Sequence, residues 1–287
     1  MLNLSKSLPK ELKQKIESLI TQNFRANKNL GQHFLNNPQI SDQIALSCGN
    51  LSDSAVLEIG PGMGSLTQSI MALHSGVNLT IVEADARFID ILNEVGKFYN
   101  NCQFEVIKSD ALQYDFNGWT EKHPHKKKYI IANLPYNIGS ELLFKWLDED
   151  FLKNINNITL MLQKEFVQRV TAKHHSKAYS WITILAQLLC DVELLFDVPQ
   201  NAFTPEPKVI SSVFSLRPKQ AVYPHNIKNL KKICNTLFLY RRKTIRSIIN
   251  NNSHLHYLLP FLENIQLDLQ KRPEEIDIKT FCDISNF

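Results

Sequence analysis

At 287 residues the chain is long enough for one or two domains with a sizeable core. Its 44% hydrophobic and 21% charged residues are ordinary for a globular protein, and no apolar run reaches the length of a membrane span, so no membrane partner is expected. The net charge of +4 hides an asymmetry: residues 1–218 hold 21 Lys and Arg against 22 Asp and Glu, whereas residues 219–287 hold 11 against 6.

In chain order, Leu8, Leu12, Ile16 and Leu19 recur at helical spacing and predict a short amphipathic helix in an N-terminal extension, residues 1–27. That segment lacks the apolar core of a secretion signal and contains Glu11 and Glu17, acids that transit peptides avoid. The five cysteines are scattered and form no CxxC, which fits reduced thiols in the cytoplasm and no metal site. From residue 55 to about 160, short apolar runs alternate with helical patterns. AVLEIG, LTIVEAD, FEVIKSD, YIIANLPY and ITLMLQ read as strands, and SLTQSIMALH, RFIDILNEV and SELLFKWLDED as helices. Such alternation predicts βαβ units around a parallel sheet. Residues 117–129, NGWTEKHPHKKKY, read as a charged loop, AYSWITILAQLLC as a buried helix, and VELLFDV and SSVFSLRP as two further strands. After Pro218 the pattern becomes helical and basic, with seven basic and no acidic residues between Lys228 and Arg246, which places a domain boundary near residue 218. Such a segment suits a polyanion, although a solvated helix face would look the same.

Two motifs carry the chemistry. LEIGPGMGSL joins the first strand to its helix, and Gly60, Gly62 and Gly64 let the backbone turn sharply beside a helix N-terminus. Ser65 stands where a dinucleotide fingerprint needs its third glycine, so the run is E-x-G-x-G-x-G, opened by Glu58. This form suits S-adenosyl-L-methionine, which has no pyrophosphate to cradle but does carry an amino-acid end. Glu83 closes the next strand, where a carboxylate accepts bonds from ribose hydroxyls, and Asp110 closes the third, as an acceptor for an adenine amino group or as a helix cap. An ordinary βα turn remains the competing account of the glycines. The second motif, Asn133-Leu134-Pro135-Tyr136, ends the fourth strand at the same edge. The exocyclic amine of adenine is a poor nucleophile because its lone pair is delocalised into the ring. Acceptors at Asn133 and the Leu134 carbonyl would hold its hydrogens, Pro135 would fix that carbonyl, and Tyr136 would stack on the base. Read alone, these four residues would equally make a strand-ending turn.

With both motifs in place, the chain resembles the small-subunit rRNA adenine N6,N6-dimethyltransferases, the KsgA family, over nearly its whole length. NKNLGQHFL, VLEIGPGMGSLT, VEAD, SDAL, NLPYNI, MLQKEFVQRV, SKAY, AFTPEPKV and LYRRKTIRSII carry the resemblance. It implies an α/β fold: a Rossmann-like methyltransferase domain, residues 28–218, followed by a small all-helical domain, residues 219–287. It implies a monomer that takes S-adenosyl-L-methionine and dimethylates two adjacent adenosines near the 3′ end of small-subunit rRNA, on the immature small ribosomal subunit. Carried over by residue, cofactor contacts fall on His33, Leu35, Gly60, Gly62, Glu83, Asp110 and Asn133. The adenine clamp falls on Asn133, Leu134, Pro135 and Tyr136, with Phe203 packing on the far side of the base, although from the residues alone Phe203 reads as a core aromatic under a rigid proline loop. RNA-phosphate contacts are expected from Lys208, Arg241, Arg242, Lys243 and Arg246, with Arg242 and Arg246 on one helix face. His33 replaces the usual Asn of the family, and an imidazole, unlike an amide, can change charge, so cofactor binding is expected to respond to pH. Three other readings stand beside this one: a large-subunit rRNA methyltransferase of the antibiotic-resistance type, a nucleic-acid-binding transcription factor on the same fold, and an NAD-dependent dehydrogenase.

Overall fold

The computed structural model describes residues 31–287, together with Gln14, Ser18 and Ala26. The predicted N-terminal helix through Leu8, Leu12, Ile16 and Leu19 lies outside the described residues, as does the Asn27–Leu30 part of the NKNLGQHFL motif. The chain divides into two compact units: residues 1–167 with 193–218, and residues 168–192 with 219–287.

Unit 1 is built on a seven-stranded sheet of order β4-β3-β2-β5-β6-β9-β7. The strands are β2 (Ala55–Ile59), β3 (Asn78–Glu83), β4 (Gln103–Lys108), β5 (Lys128–Asn133), β6 (Asn157–Gln163), β7 (Cys190–Val198) and β9 (Ser211–Pro218). The pairs β2–β3, β3–β4, β2–β5 and β5–β6 are parallel, and β9 joins β6 antiparallel. Every residue of β2 is buried, so the sheet is covered on both faces there, which is why its strands read as unbroken apolar runs. A separate pair joins β1 (Phe34–Leu35) to β8 (Phe203–Thr204). The helices α1 (Pro38–Ser47), α2 (Ser65–Leu73), α3 (Ala86–Phe98), α4 (Phe116–Lys122), α5 (Tyr136–Trp146) and α6 (Glu149–Leu152) connect the strands, and α7 (Lys164–Val170) follows β6. β2 has β3 on one side and β5 on the other, so consecutive connections diverge at its C-terminal end, the place where open α/β sheets bind ligands.

Two expectations change here. The charged loop at 117–129 begins as helix α4, because Asp115 accepts from the Gly118 N–H at 2.9 Å and caps it, and Trp119 is 1% exposed and anchors it. The single boundary near residue 218 is replaced by a discontinuous division. Helix α8 (Trp181–Leu189) belongs to unit 2 with α9 (Ile227–Leu239), α10 (Ile245–Asn250), α11 (Leu259–Asn264) and α12 (Ile278–Ser285). The reason is its nearly continuous apolar surface: Ile182, Ile184, Leu185 and Leu188 are all buried, and α8 packs on α9 and α12. Phe238 of α9 and Phe281 of α12 stack with centroids 6.0 Å apart in the same core.

Candidate active site

The C-terminal ends of β2, β3 and β5 open into a cavity of about 350 Å³, within the range of small-molecule sites. Its floor is the glycine turn. Gly60, Gly62 and Gly64 all have positive φ. At Gly62 the requirement is twofold: φ is +57°, and a Cβ would lie 2.9 Å from the Phe34 ring. The bare backbone there lets the Gly62 N–H donate to Glu83 Oε2 at 3.0 Å. The other oxygen of Glu83 accepts from the Asp85 N–H at 2.8 Å. Glu83 is thus fixed at the end of β3 by two backbone donors, and burial raises its pKa above the usual carboxylate range.

Glu58 is buried deeper, at 1% exposure, yet lines the same cavity. Its Oε2 accepts from the Thr67 hydroxyl at 2.7 Å, while Oε1 has no partner. Burial pushes its pKa up to about 8, against the opposing Thr67 bond and with the Glu83 charge adding to the rise. A buried carboxylate oxygen left unpaired beside a cavity fits a ligand that brings a donor or a positive charge. Asp110 also lines the cavity and uses Oδ1 to cap the following turn through the Leu112 N–H at 2.9 Å, so its capping role is realised.

The opposite wall comes from the end of β5 and the start of α5. Asn133 Nδ2 points to the His33 carbonyl at 3.5 Å, which leaves Oδ1 as the amide's free acceptor side. The Leu134 N–H donates to the Met161 carbonyl at 3.2 Å, and Pro135 occupies the N-cap position of α5, its carbonyl accepting from Ile138 and Gly139. Tyr136 is therefore the first residue of a helix and half-buried. Its phenol is held 2.6 Å from the Ser211 hydroxyl of β9. The His33 ring lies 5.8 Å from the Tyr136 ring at 30°, and its Nδ1 donates to the Pro205 carbonyl at 2.8 Å. Since a carbonyl only accepts, Nδ1 carries the proton.

A family model described as ribosomal RNA adenine dimethylase matches residues 23–287. The chain belongs to that family. Among curated relatives, "Ribosomal RNA small subunit methyltransferase A" of Wolbachia sp. subsp. Brugia malayi is 36% identical over 264 residues, covering 90% of this chain and 96% of the relative. The protein of the same name from Zymomonas mobilis is 37% identical over 260 residues, covering 90% of each. Among solved structures, a dimethyladenosine transferase from Plasmodium falciparum superposes with a TM-score of 0.74 at 28% identity, over 88% of this chain and 96% of that one. The 23S rRNA methyltransferase ErmE superposes with a TM-score of 0.64 at 21% identity, over 88% of this chain and 98% of that one, a likeness of fold alone. The fold is the Rossmann-like one of rRNA methyltransferases.

In this dimethylase, the cavity gathers His33, Leu35, Gly60, Gly62, Glu83, Asp110, Asn133, Leu134, Pro135 and Tyr136, each of them anticipated. Phe203 is the exception. It is 2% exposed, its β8 position pairs with Leu35 of β1, and its ring belongs to the hydrophobic core rather than to the cavity lining. Two contributors had no signal strong enough to find them. Gln32 donates to Asp85 Oδ2 at 2.8 Å and ties the β1 segment to the end of β3. Asp85 also binds Arg87, which with the Gln32 bond holds its pKa down to about 2. Ser211, the anchor of Tyr136, sits in an ordinary strand sequence.

The basic segment of unit 2 is not one helix. A turn at residues 240–244 separates α9 from α10, so Arg242 and Arg246 do not share a helix face. Thr244 caps α10 through the Ser247 N–H at 3.3 Å, and the free Ile245 and Arg246 N–H groups donate to the Lys271 and Leu269 carbonyls. Arg241 donates through Nη2 to the Lys177 carbonyl at 2.7 Å and lies 3.9 Å from Glu274, which makes it a strut within the unit. Arg242, Lys243 and Arg246 are exposed, as is Lys208 in unit 1. Among the described residues no helix is long and apolar enough to cross a membrane.

Proposed function

We propose that the chain methylates N6 of two adjacent adenosines near the 3′ end of small-subunit rRNA, twice each, with S-adenosyl-L-methionine as donor. The observation that carries the reading is one cavity lined by both the glycine cradle and the Asn133–Tyr136 segment. Bound there, S-adenosyl-L-methionine would supply a methyl group already activated by its sulfonium. The residues fit it: Glu58 Oε1 is the unpaired acceptor for its cationic amino-acid end, Glu83 and Asp110 are acceptors for ribose and adenine, and the glycine turn admits it closely.

The remaining chemistry belongs to the chain. Asn133 Oδ1 and the Leu134 carbonyl accept hydrogen bonds from the two N6 hydrogens in the first transfer, and one of them from the single remaining hydrogen in the second, turning the nitrogen lone pair toward the donor. Positioning of this kind supplies most of the rate, so no strong base is needed. The nitrogen becomes cationic on transfer and loses its proton to water. Tyr136, held by Ser211, offers a ring to the flipped base, worth about 1–3 kcal/mol against the cost of unstacking. Arg242, Lys243, Arg246 and Lys208 meet phosphates, while Arg241 acts through the Lys177 loop. The protein works as a cytoplasmic monomer on the immature small subunit.

The test is incubation of unmethylated small ribosomal subunits with the purified protein and labelled donor, followed by nucleoside analysis. The expected product is N6,N6-dimethyladenosine near the 3′ end, lost in Tyr136→Ala. Donor binding without transfer to the subunit would sink the reading.

A further inference from the structure

The opposite edge of the same sheet carries a feature the reaction does not use. Lys122, His123, His125, Lys126, Lys127 and Lys128 fall within seven residues, between α4 and β5. The unit around them is not basic. With Arg169, Lys173, Lys177 and Asp191 assigned to unit 2, unit 1 holds 18 Lys and Arg against 21 Asp and Glu, so this cluster is a local excess.

Its backbone is fixed. The Ala55 N–H donates to the Lys127 carbonyl and the Asn156 N–H to the Lys128 carbonyl, each at 2.8 Å, and the Lys128 N–H donates to Asn156 Oδ1 at 2.8 Å. Lys126 Nζ rests on Asn78 Oδ1 at 3.2 Å. Among the described residues no carboxylate forms an ion pair with any of these lysines. Lys128 is 5% exposed, its ammonium donates to the Lys126 carbonyl at 3.3 Å, and burial lowers its pKa. At His123, burial first and then the charges of Lys126, Lys128 and Lys122 depress protonation, against the opposing pull of Glu105. A solvated loop would account for Lys127 alone, and a helix C-terminus for Lys122. Neither accounts for Lys122, Lys126 and Lys127 gathered with His123 and His125 on one rigid edge without a carboxylate partner among the described residues, an arrangement that suits a polyanion.

We propose that residues 122–128 form a second rRNA-phosphate contact, on the sheet edge opposite the methyl-transfer cavity. This rests on the reading of the chain as an rRNA methyltransferase. Lys128 opens β5 and Asn133 closes it, so at about 3.3 Å per residue the two ends lie roughly 17 Å apart. An RNA meeting both must therefore extend well beyond the target loop, which folded small-subunit rRNA does.

The experiment compares wild type with the triple variant Lys122→Gln/Lys126→Gln/Lys127→Gln, leaving buried Lys128 in place. Affinity for unmethylated small subunits and for naked small-subunit rRNA is measured across a salt series. Each lost phosphate contact reduces the slope of log affinity against log salt by about 0.7–0.9, so the triple variant should lose about 2 in slope. At low salt it should bind about ten-fold or more weakly, with donor affinity and thermal midpoint unchanged, and Lys→Arg at the same positions should restore the slope. An unchanged slope in the folded variant overturns the inference while wild-type methylation stands. A change confined to intact subunits would place a ribosomal protein on the surface and also overturn it. Wild type that leaves subunits unmethylated overturns the functional reading, and this inference with it.

Discussion

The two edges of one parallel sheet have opposite electrostatic characters. The C-terminal edge sets Glu58, Glu83 and Asp110, the first two buried with raised pKa values, around a cavity, with Asp85 just beyond it. The N-terminal edge concentrates three surface lysines, a buried fourth and two histidines between α4 and β5. The buried carboxylates, Glu83 held by two backbone donors and Glu58 by the Thr67 hydroxyl, suit a cationic small molecule. The exposed and half-buried ammonium groups of Lys122, Lys126 and Lys127 suit a polymer of phosphates. The two edges of one sheet are thus set apart by several residues of strand, with Glu58 and Glu83 buried at the acidic one.

The contrast is tested most severely at the clamp. Asn133→Ala should lower the rate of methyl transfer about 100-fold, because an acceptor that positions the amine is gone, whereas Asn133→Asp should keep measurable activity. Single-turnover kinetics on small subunits decides this; equal, complete loss in both would mean the amide does more than accept a hydrogen bond. Gly62→Val tests the cradle. Its side chain collides with Phe34, so donor affinity should fall at least about ten-fold and stability by about 1–3 kcal/mol, read by calorimetric titration and thermal unfolding. Ser211→Ala frees the Tyr136 phenol and should cost about three- to ten-fold in kcat, the worth of one hydrogen bond, with donor affinity unchanged. Combined with Tyr136→Phe it should cost little more, since both remove the same bond.

The smallest effect is a slope. The Glu58 carboxyl titrates near 8 when folded against about 4.5 when unfolded, so the folded state holds its proton more tightly. Its contribution to stability is full below pH 4.5 and is lost as pH rises toward 8. The thermal midpoint of the ligand-free protein should fall across that window, and the Glu58→Gln variant should flatten the fall. Donor affinity should rise over the same range in wild type, as the proton gives way to the ligand's charge.

What the sequence disclosed follows from how each residue acts. Gly60, Gly62 and Glu83 work through backbone conformation and strand ends, both of which local pattern specifies, and they stand where expected. Tyr136 was legible for the same reason, although its place at the first turn of α5 shows only in three dimensions. Phe203 reads from its own surroundings as a core aromatic under a proline loop, and the pairing of β8 with β1 puts it there; only the resemblance set it against a base. Arg242 and Arg246 looked like helix neighbours because basic and apolar residues continue across the break. Thr244, a favoured capping residue, was the available sign of the turn. Gln32 and Ser211 left no trace, since their roles exist only through partners more than fifty residues away.

The passage of residues 168–192 into unit 2 and back has a consequence for the gene as well as the protein. The two units cannot be parted by a single stop codon. Ending translation after Pro218 would leave α8 attached to unit 1 but stripped of α9 and α12, with Ile184 and Leu185 turned out to water. Recombination that exchanges the C-terminal region among relatives would therefore have to carry a second, internal piece with it, so the two units are bound to be inherited together.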